Sequence, residues 1–125
     1  MNTLEKEKLI VSWISLNKAE QGSDDYERNF WAFGKLYDLT KNDPSLCLDI
    51  VLSILDRESS RKIISNLAAG PVEDLLVYHG ARFIEKIEEL ANKNAAFRDL
   101  LGGVWKSDMS DDIWKRVQAV SGPTW

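Results

Sequence analysis

The stretch ARFIEKIEELANK, residues 81–93, carries the clearest structural signal in the chain. Its apolar residues Phe83, Ile84, Ile87 and Leu90 recur at intervals of one, three and three positions, so in an α-helix they fall within one arc. The charged residues Arg82, Glu85, Lys86 and Glu89 fall on the opposite side. The segment therefore predicts an amphipathic helix with one buried face.

The same helical period continues in both directions from this segment. Further helices are predicted at about residues 4–16, 24–41, 44–56, 60–70, 71–80, 95–101 and 111–120. Residues that favour helix ends separate them, such as Asp43 before Pro44, Gly70 before Pro71, and Ser110. Because no segment shows the alternation of a half-buried strand, we predict an all-α fold of about eight short helices.

Three pairs of predicted helices have similar lengths, at residues 44–70, 71–94 and 95–120. Their repetition predicts stacked α-hairpins that form a short solenoid of the HEAT type. An irregular helical bundle is the alternative. In both cases we expect a single domain over residues 1–125, with residues 1–42 as an aromatic N-terminal cap and residues 43–120 as the hairpins.

The overall composition is that of one globular domain, with 125 residues, 44% hydrophobic and 29% charged. Twenty acidic against sixteen basic residues give a net charge of −4, which argues against nucleic acid and anionic membranes as partners. No apolar run reaches the roughly 18 to 20 residues of a membrane span, and charges near the N-terminus exclude a signal peptide. We expect a soluble, cytoplasmic monomer.

Few residues in the chain are suited to catalysis or to metal binding. Cys47 is the only cysteine and His79 the only histidine, so a zinc site would consist mostly of carboxylates. The neighbouring acids Glu73 and Asp74 lie in the first turn of a predicted helix, where the helix dipole favours them. No glycine-rich phosphate loop is present. We expect no enzymatic activity, no metal and no cofactor.

The second predicted helix carries two apolar stripes, which favours a position between two neighbours. One stripe is Tyr26, Phe30, Phe33 and Tyr37, and the other is Ala32, Leu36 and Leu39. Trp31 belongs to neither stripe. It shares a side of the helix with Glu27 and Asp38, so a tryptophan is expected within an acidic stripe.

This acidic stripe lies in the most negative part of the chain, since residues 20–58 contain nine acidic and four basic residues, a local net charge of −5. An exposed aromatic residue surrounded by charges is typical of a binding hot spot. The predicted partner-binding residues are Glu27, Trp31, Asp38, Asp49 and Asp56. A second candidate set precedes and begins the last helix, and consists of Trp105, Asp108, Asp111 and Asp112.

Several motifs in the second half are shared with a known family. The segments LAAGPVEDLL at 67–76, LLGGVW at 100–105 and WKRV at 114–117 resemble a family of small bacterial proteins defined only as a domain of unknown function. The resemblance covers about residues 60 to 120. Its most specific elements are Gly-Pro-x-Glu-Asp-Leu-Leu and Gly-Gly-Val-Trp. It implies an all-helical fold and no particular activity or site.

Two classes of function fit a small, acidic, all-helical chain of this kind. Immunity proteins neutralise a toxin by covering its active surface, and an acidic, aromatic face suits a basic toxin such as a nuclease. The alternative is a helical-repeat adaptor within an unrelated complex. We predict a non-catalytic protein-binding protein, with immunity to a cognate toxin domain as the leading hypothesis.

Overall fold

The computed structural model describes all residues from Met1 to Trp125, and all regular secondary structure in the chain is helical. Helices contain 78% of the residues, and no strand forms. The predicted all-α class is therefore confirmed. The helices number six rather than about eight, because the three that were predicted between residues 60 and 93 are continuous with one another.

We label the helices in chain order and give letters to the parts of an interrupted one. They are α1 (Thr3–Lys18), α2a (Asp24–Asn29) with α2b (Trp31–Asn42), α3 (Pro44–Arg57), α4a (Arg61–Leu67) with α4b (Glu73–Lys93), α5 (Ala95–Leu101) and α6 (Asp111–Val120). A π-helical turn, Ala68–Val72, joins α4a to α4b. Only Phe30 separates α2a from α2b, and its backbone is itself helical (φ −58°, ψ −28°).

Side-chain caps begin most helices at the positions that the sequence indicates. Asp43 caps α3 directly before Pro44, and Ser110 caps α6. Asn2 and Ser23 do the same for α1 and α2a. Each cap accepts a hydrogen bond from a first-turn N–H that has no partner within the helix, which makes these boundaries a local property of the chain.

The two boundaries predicted at Gly70 and Gly80 are wrong. Pro71 lies inside the π-helical turn, whose wider loop accommodates a residue that has no N–H. At Gly80 the helix kinks without ending, because His79 has non-helical backbone angles (φ −135°, ψ 25°). Gly80 is buried, and a Cβ atom there would lie 3.2 Å from the side chain of Ile113. The lack of a side chain at Gly80 therefore allows α4b to pack closely against α6.

The first compact unit of the chain comprises Met1–Ile63. Within it, α1 contacts α2a, α2b and α3, and α2b contacts α3. Its three longer helices all contribute buried side chains, which include Leu9, Trp13, Ala32, Leu36, Cys47, Ile50, Val51 and Ile54. Two ion pairs, Arg57 with Glu7 and Glu58 with Lys18, join α1 to the end of α3.

The second compact unit comprises Ile64–Trp125, and here α4b contacts α5 and α6. Its buried side chains include Leu75, Leu76, Phe83, Ile84, Ile87, Phe97, Leu100, Leu101 and Val117. The buried face predicted for residues 81–93 is confirmed except at Leu90, which is half-buried. The predicted hairpin at 71–94 is one kinked helix, whereas the single-domain division and the solenoid remain predictions.

The last residues of the chain pack back on α5. The N–H of Gly122 donates to the carbonyl of Arg98 at 2.9 Å, and the indole N–H of Trp125 donates to the carbonyl of Asp99 at 2.7 Å. The Trp125 ring lies over Gly103, where a Cβ atom would be only 2.4 Å away. The Gly-Gly pair at 102–103 is thus required by the close approach of this terminal segment.

Candidate functional site

The α2 helix exposes large aromatic side chains to solvent, and this is the most unusual feature of the surface. Phe33 is 56% exposed, Phe30 48%, Trp31 42% and Tyr37 37%. As expected, α2b contacts two neighbouring helices, α1 and α3, but these contacts do not bury both of its apolar stripes. Only the stripe of Ala32, Leu36 and Leu39 is buried, while the aromatic stripe faces water.

The aromatic stripe forms a continuous series of ring contacts, which we call the aromatic ladder (Tyr26, Phe30, Phe33 and Tyr37). Ring centroids are separated by 5.7 Å between Tyr26 and Phe30 and by 5.8 Å between Phe30 and Phe33. Phe33 and Tyr37 are 6.5 Å apart with planes within 3° of parallel. Contacts at these separations hold the rings in a defined arrangement on the surface.

Trp31 lies on a different side of α2b from the ladder, as the helical spacing requires. The ammonium nitrogen of Lys8, on α1, lies 5.5 Å from the centroid of its ring. Glu27, one turn earlier, and Asp38, two turns later, are exposed and form no ion pair. The predicted acidic stripe around an exposed tryptophan is therefore present.

The remaining predicted residues of this set, Asp49 and Asp56, lie on α3. Both are exposed, and seven residues of spacing put them on the same side of that helix. No hydrogen bond or ion pair joins them to Trp31 or to the acids of α2. They add negative charge to the neighbouring helix.

Sequence reasoning missed Phe30, Phe33 and Tyr37, because it assigned them to the core. A usable signal was present in their composition, since this stripe is wholly aromatic and includes two tyrosines, whereas the buried stripe is aliphatic. Tyrosine commonly keeps its hydroxyl group in contact with water. When other helices cover only one of two apolar stripes on a helix, the second stripe stays exposed to water.

The second candidate set lies in the second compact unit, around the loop before α6. Trp105 is 73% exposed, and Asp108, Asp111 and Asp112 are also exposed. Asp111 pairs with Lys106 at 2.9 Å. A cleft of about 300 Å³ opens beside Trp105 and is also lined by Trp114 and Gln118. Only one ring at this loop, that of Trp105, is strongly exposed, in contrast to the ring series of α2.

Glu73 holds this loop in position. Its Oε1 atom accepts a hydrogen bond from the Trp105 N–H at 3.2 Å. Burial raises the pKa of Glu73, the Trp105 hydrogen bond opposes that rise, and the charge of Asp74 adds to it. Neither Arg98 nor Arg116 pairs with these acids, since Arg116 pairs with Glu88 and Arg98 donates to the carbonyl of Ala91.

The structure also locates the residues considered for metal binding or catalysis. Cys47 is buried, and its sulfur lies 3.4 Å from the hydroxyl oxygen of Thr40. His79 occupies the kink of α4b, with its ring 6.3 Å from that of Phe83. No group of three or more His, Cys, Asp or Glu side chains is arranged to hold a metal ion. None of the helices combines the length and apolar character needed to cross a membrane.

Comparison with known families finds one family model that matches most of the chain. The model of a family of unknown function, DUF6869, matches residues 19–124, so the chain belongs to this family. The match extends well beyond the range of residues 60 to 120 that the motifs suggested, and it includes all of α2 and α3. No curated protein and no solved structure shows significant similarity to the chain.

Proposed function

We propose that this chain is a non-catalytic protein-binding protein and that its contact surface is the exposed side of α2. The observation that supports the proposal is the exposure of four large rings, Phe30, Trp31, Phe33 and Tyr37, on a single helix. Apolar surface of this extent is unfavourable in water by about 25 cal/mol per Å². Contiguous patches of this kind mark interaction sites, and aromatic side chains dominate binding hot spots.

We further propose that the partner is a basic toxin domain, which this chain neutralises by covering its active surface. The local net charge of −5 over residues 20–58 supports this, because nucleases carry positive charge where they bind nucleic acid. Complementary charge accelerates encounter and disfavours incorrect partners. The carboxylates of Glu27 and Asp38 flank the rings, and those of Asp49 and Asp56 extend the negative field over α3.

The alternative proposal is an adaptor that joins components of an unrelated complex. An adaptor would use the same aromatic surface, because the exposure of these rings does not depend on the activity of the partner. The two proposals differ in the partner. An immunity protein binds a toxic product of a neighbouring gene, whereas an adaptor binds a protein that is harmless when expressed alone.

Co-expression with the product of the gene immediately upstream tests these proposals. We expect the wild-type chain to restore growth to cells that produce this protein and to copurify with it. Phe33→Ala should lose both effects with little change in melting temperature, because the ring is mostly exposed. Tyr78→Ala is the matched control, since it removes a 48% exposed ring from the second compact unit and should behave as wild type.

Each other outcome has a defined meaning. A harmless upstream product that still binds through Phe33 supports the adaptor. A toxic product that is neither bound nor neutralised refutes the immunity proposal. Equal binding by Phe33→Ala and wild type refutes the aromatic surface as the contact site.

A further inference from the structure

Two rings at the edges of the α2 surface already hold cationic groups of the chain itself. The Lys8 ammonium nitrogen lies 5.5 Å from the centroid of Trp31, and the Lys41 ammonium nitrogen lies 4.7 Å from the centroid of Tyr37. Both lysines are exposed. A cation over an aromatic face within about 6 Å is attracted by the ring quadrupole. The surface is thus chemically suited to positively charged side chains.

Gly34 lies at the centre of this surface. It is exposed in the first turn of α2b, and apart from its chain neighbours and the backbone of the helix itself nothing lies within 4 Å of the position that its Cβ would occupy. Glycine inside a helix is unfavourable relative to alanine, and packing within this chain does not require it here. We call this open position, which lies between the side chains three and four residues away, the depression over Gly34.

The neighbours of Gly34 on the helix surface define the chemistry of this depression. Positions three and four residues away are its nearest neighbours in a helix, and these are Phe30, Trp31, Tyr37 and Asp38. All four are exposed. Asp38 forms no ion pair, so its carboxylate is available to a ligand. Three aromatic rings and one carboxylate therefore surround an open backbone position.

We propose that the depression over Gly34 receives an arginine side chain of the partner. Its guanidinium group stacks on the surrounding rings and donates hydrogen bonds to the Asp38 carboxylate. Arginine fits this site better than lysine because its guanidinium group is planar, is weakly hydrated and has several donors in a fixed geometry. This inference rests on the proposed function, since it specifies the partner chemistry for the same surface.

The test compares hexaarginine with hexalysine, which carry equal charge, at about 0.15 M salt. Binding is followed by ¹⁵N NMR at the indole N–H of Trp31, which is assigned with Trp31→Phe. We expect hexaarginine to shift this resonance and to bind at least about threefold more tightly than hexalysine. The indole resonance of Trp105, in the second compact unit, serves as an internal reference.

Two variants separate a specific site from general charge attraction. Gly34→Leu fills the depression and removes a helix-destabilising glycine, so the preference for arginine should disappear while the melting temperature does not fall. Asp38→Asn should lower the affinity for hexaarginine about threefold more than Glu85→Gln does. Glu85→Gln is the control because it removes the same charge from α4b.

Equal affinity for the two peptides, or an unchanged arginine preference in Gly34→Leu, would overturn the arginine site. Neither result would refute the proposed function, because that function is tested separately with Phe33→Ala and the upstream gene product. Conversely, loss of the arginine preference in Gly34→Leu supports the site whether or not the upstream product is toxic.

Discussion

At the scale of single residues, Trp31 is the best test of the binding surface. It is 42% exposed and contacts the Lys8 ammonium group, so most of the fold does not depend on it. Truncation of a central aromatic anchor commonly costs at least about 2 kcal/mol of binding free energy. We expect Trp31→Ala to weaken partner binding at least about thirtyfold, as measured by calorimetry.

Thermal unfolding of the same variant is the control for this prediction. If Trp31→Ala unfolds the chain, Trp31 supports the core and the assignment is wrong. If the variant folds and binds like wild type, the contact surface lies elsewhere, and the loop at Trp105 with Asp108, Asp111 and Asp112 is the next candidate.

Gly103 shows how a single position depends on a distant segment. A Cβ atom at Gly103 would lie 2.4 Å from the Trp125 ring. We expect Gly103→Ala to displace that ring and to lower the free energy of unfolding by about 1 to 3 kcal/mol, as overpacking does. The indole N–H resonance of Trp125, which reports the bond to Asp99, should shift in NMR spectra.

Gly34→Ala is the matched control for Gly103→Ala, because the space above Gly34 is open. Removal of this helical glycine should raise the free energy of unfolding by about 1 kcal/mol. If both alanine variants changed stability in the same direction, the close contact between Gly103 and Trp125 would not be the cause.

Because the pKa of Glu73 is raised, we predict that the stability of the fold depends on pH, with a sign set by the direction of that shift. The folded state holds the proton more tightly than the unfolded state, so this group stabilises the fold below its unfolded pKa. That contribution is lost as pH rises through the folded pKa. Glu73→Gln keeps an acceptor for the Trp105 N–H and should remove this part of the pH dependence in denaturant titrations from pH 4 to 7. An unchanged profile would contradict the assignment.

At the scale of elements, α4b supplies the central buried face of the second unit. Ile87 is fully buried on this helix. We expect Ile87→Ala to lower the free energy of unfolding by about 2 to 5 kcal/mol through the cavity that it leaves. Val11→Ala on α1, where the side chain is exposed, should change stability by no more than about 0.5 kcal/mol in the same assay. A negligible loss at Ile87 would mean that this face is not packed.

The α2 helix differs from α4b because its two apolar stripes could not be ranked from sequence. Periodicity shows which residues share a side, and both stripes follow the helical period equally well. Contacts of α2b with α1 and α3 bury Ala32, Leu36 and Leu39 and leave the aromatic ladder uncovered. The most important residues of the candidate site were therefore identified correctly as one stripe but were assigned to the wrong environment.

At the scale of the whole molecule, the distribution of charge should govern the rate of association. Neutralising the predicted acidic set with Glu27→Gln, Asp38→Asn, Asp49→Asn and Asp56→Asn should mainly lower the on-rate for the basic partner and weaken its salt dependence. Stopped-flow association at several salt concentrations measures both. The comparison set Asp108→Asn, Asp111→Asn and Asp112→Asn lies in the second compact unit and should have the smaller effect. The opposite order would move the interface to the Trp105 loop.

The sequence by itself determined the all-helical class, the caps at Asp43 and Ser110, and most of the buried face of α4b. These features depend on hydrogen bonds and spacings within one or two turns, so neighbouring residues are sufficient to specify them. Only the tertiary structure decided that α4a and α4b run on through Pro71, that Gly80 and Gly103 are sites of close packing, and that the aromatic ladder faces water. Each of these depends on which distant segment covers a given surface, and a local pattern does not contain that information.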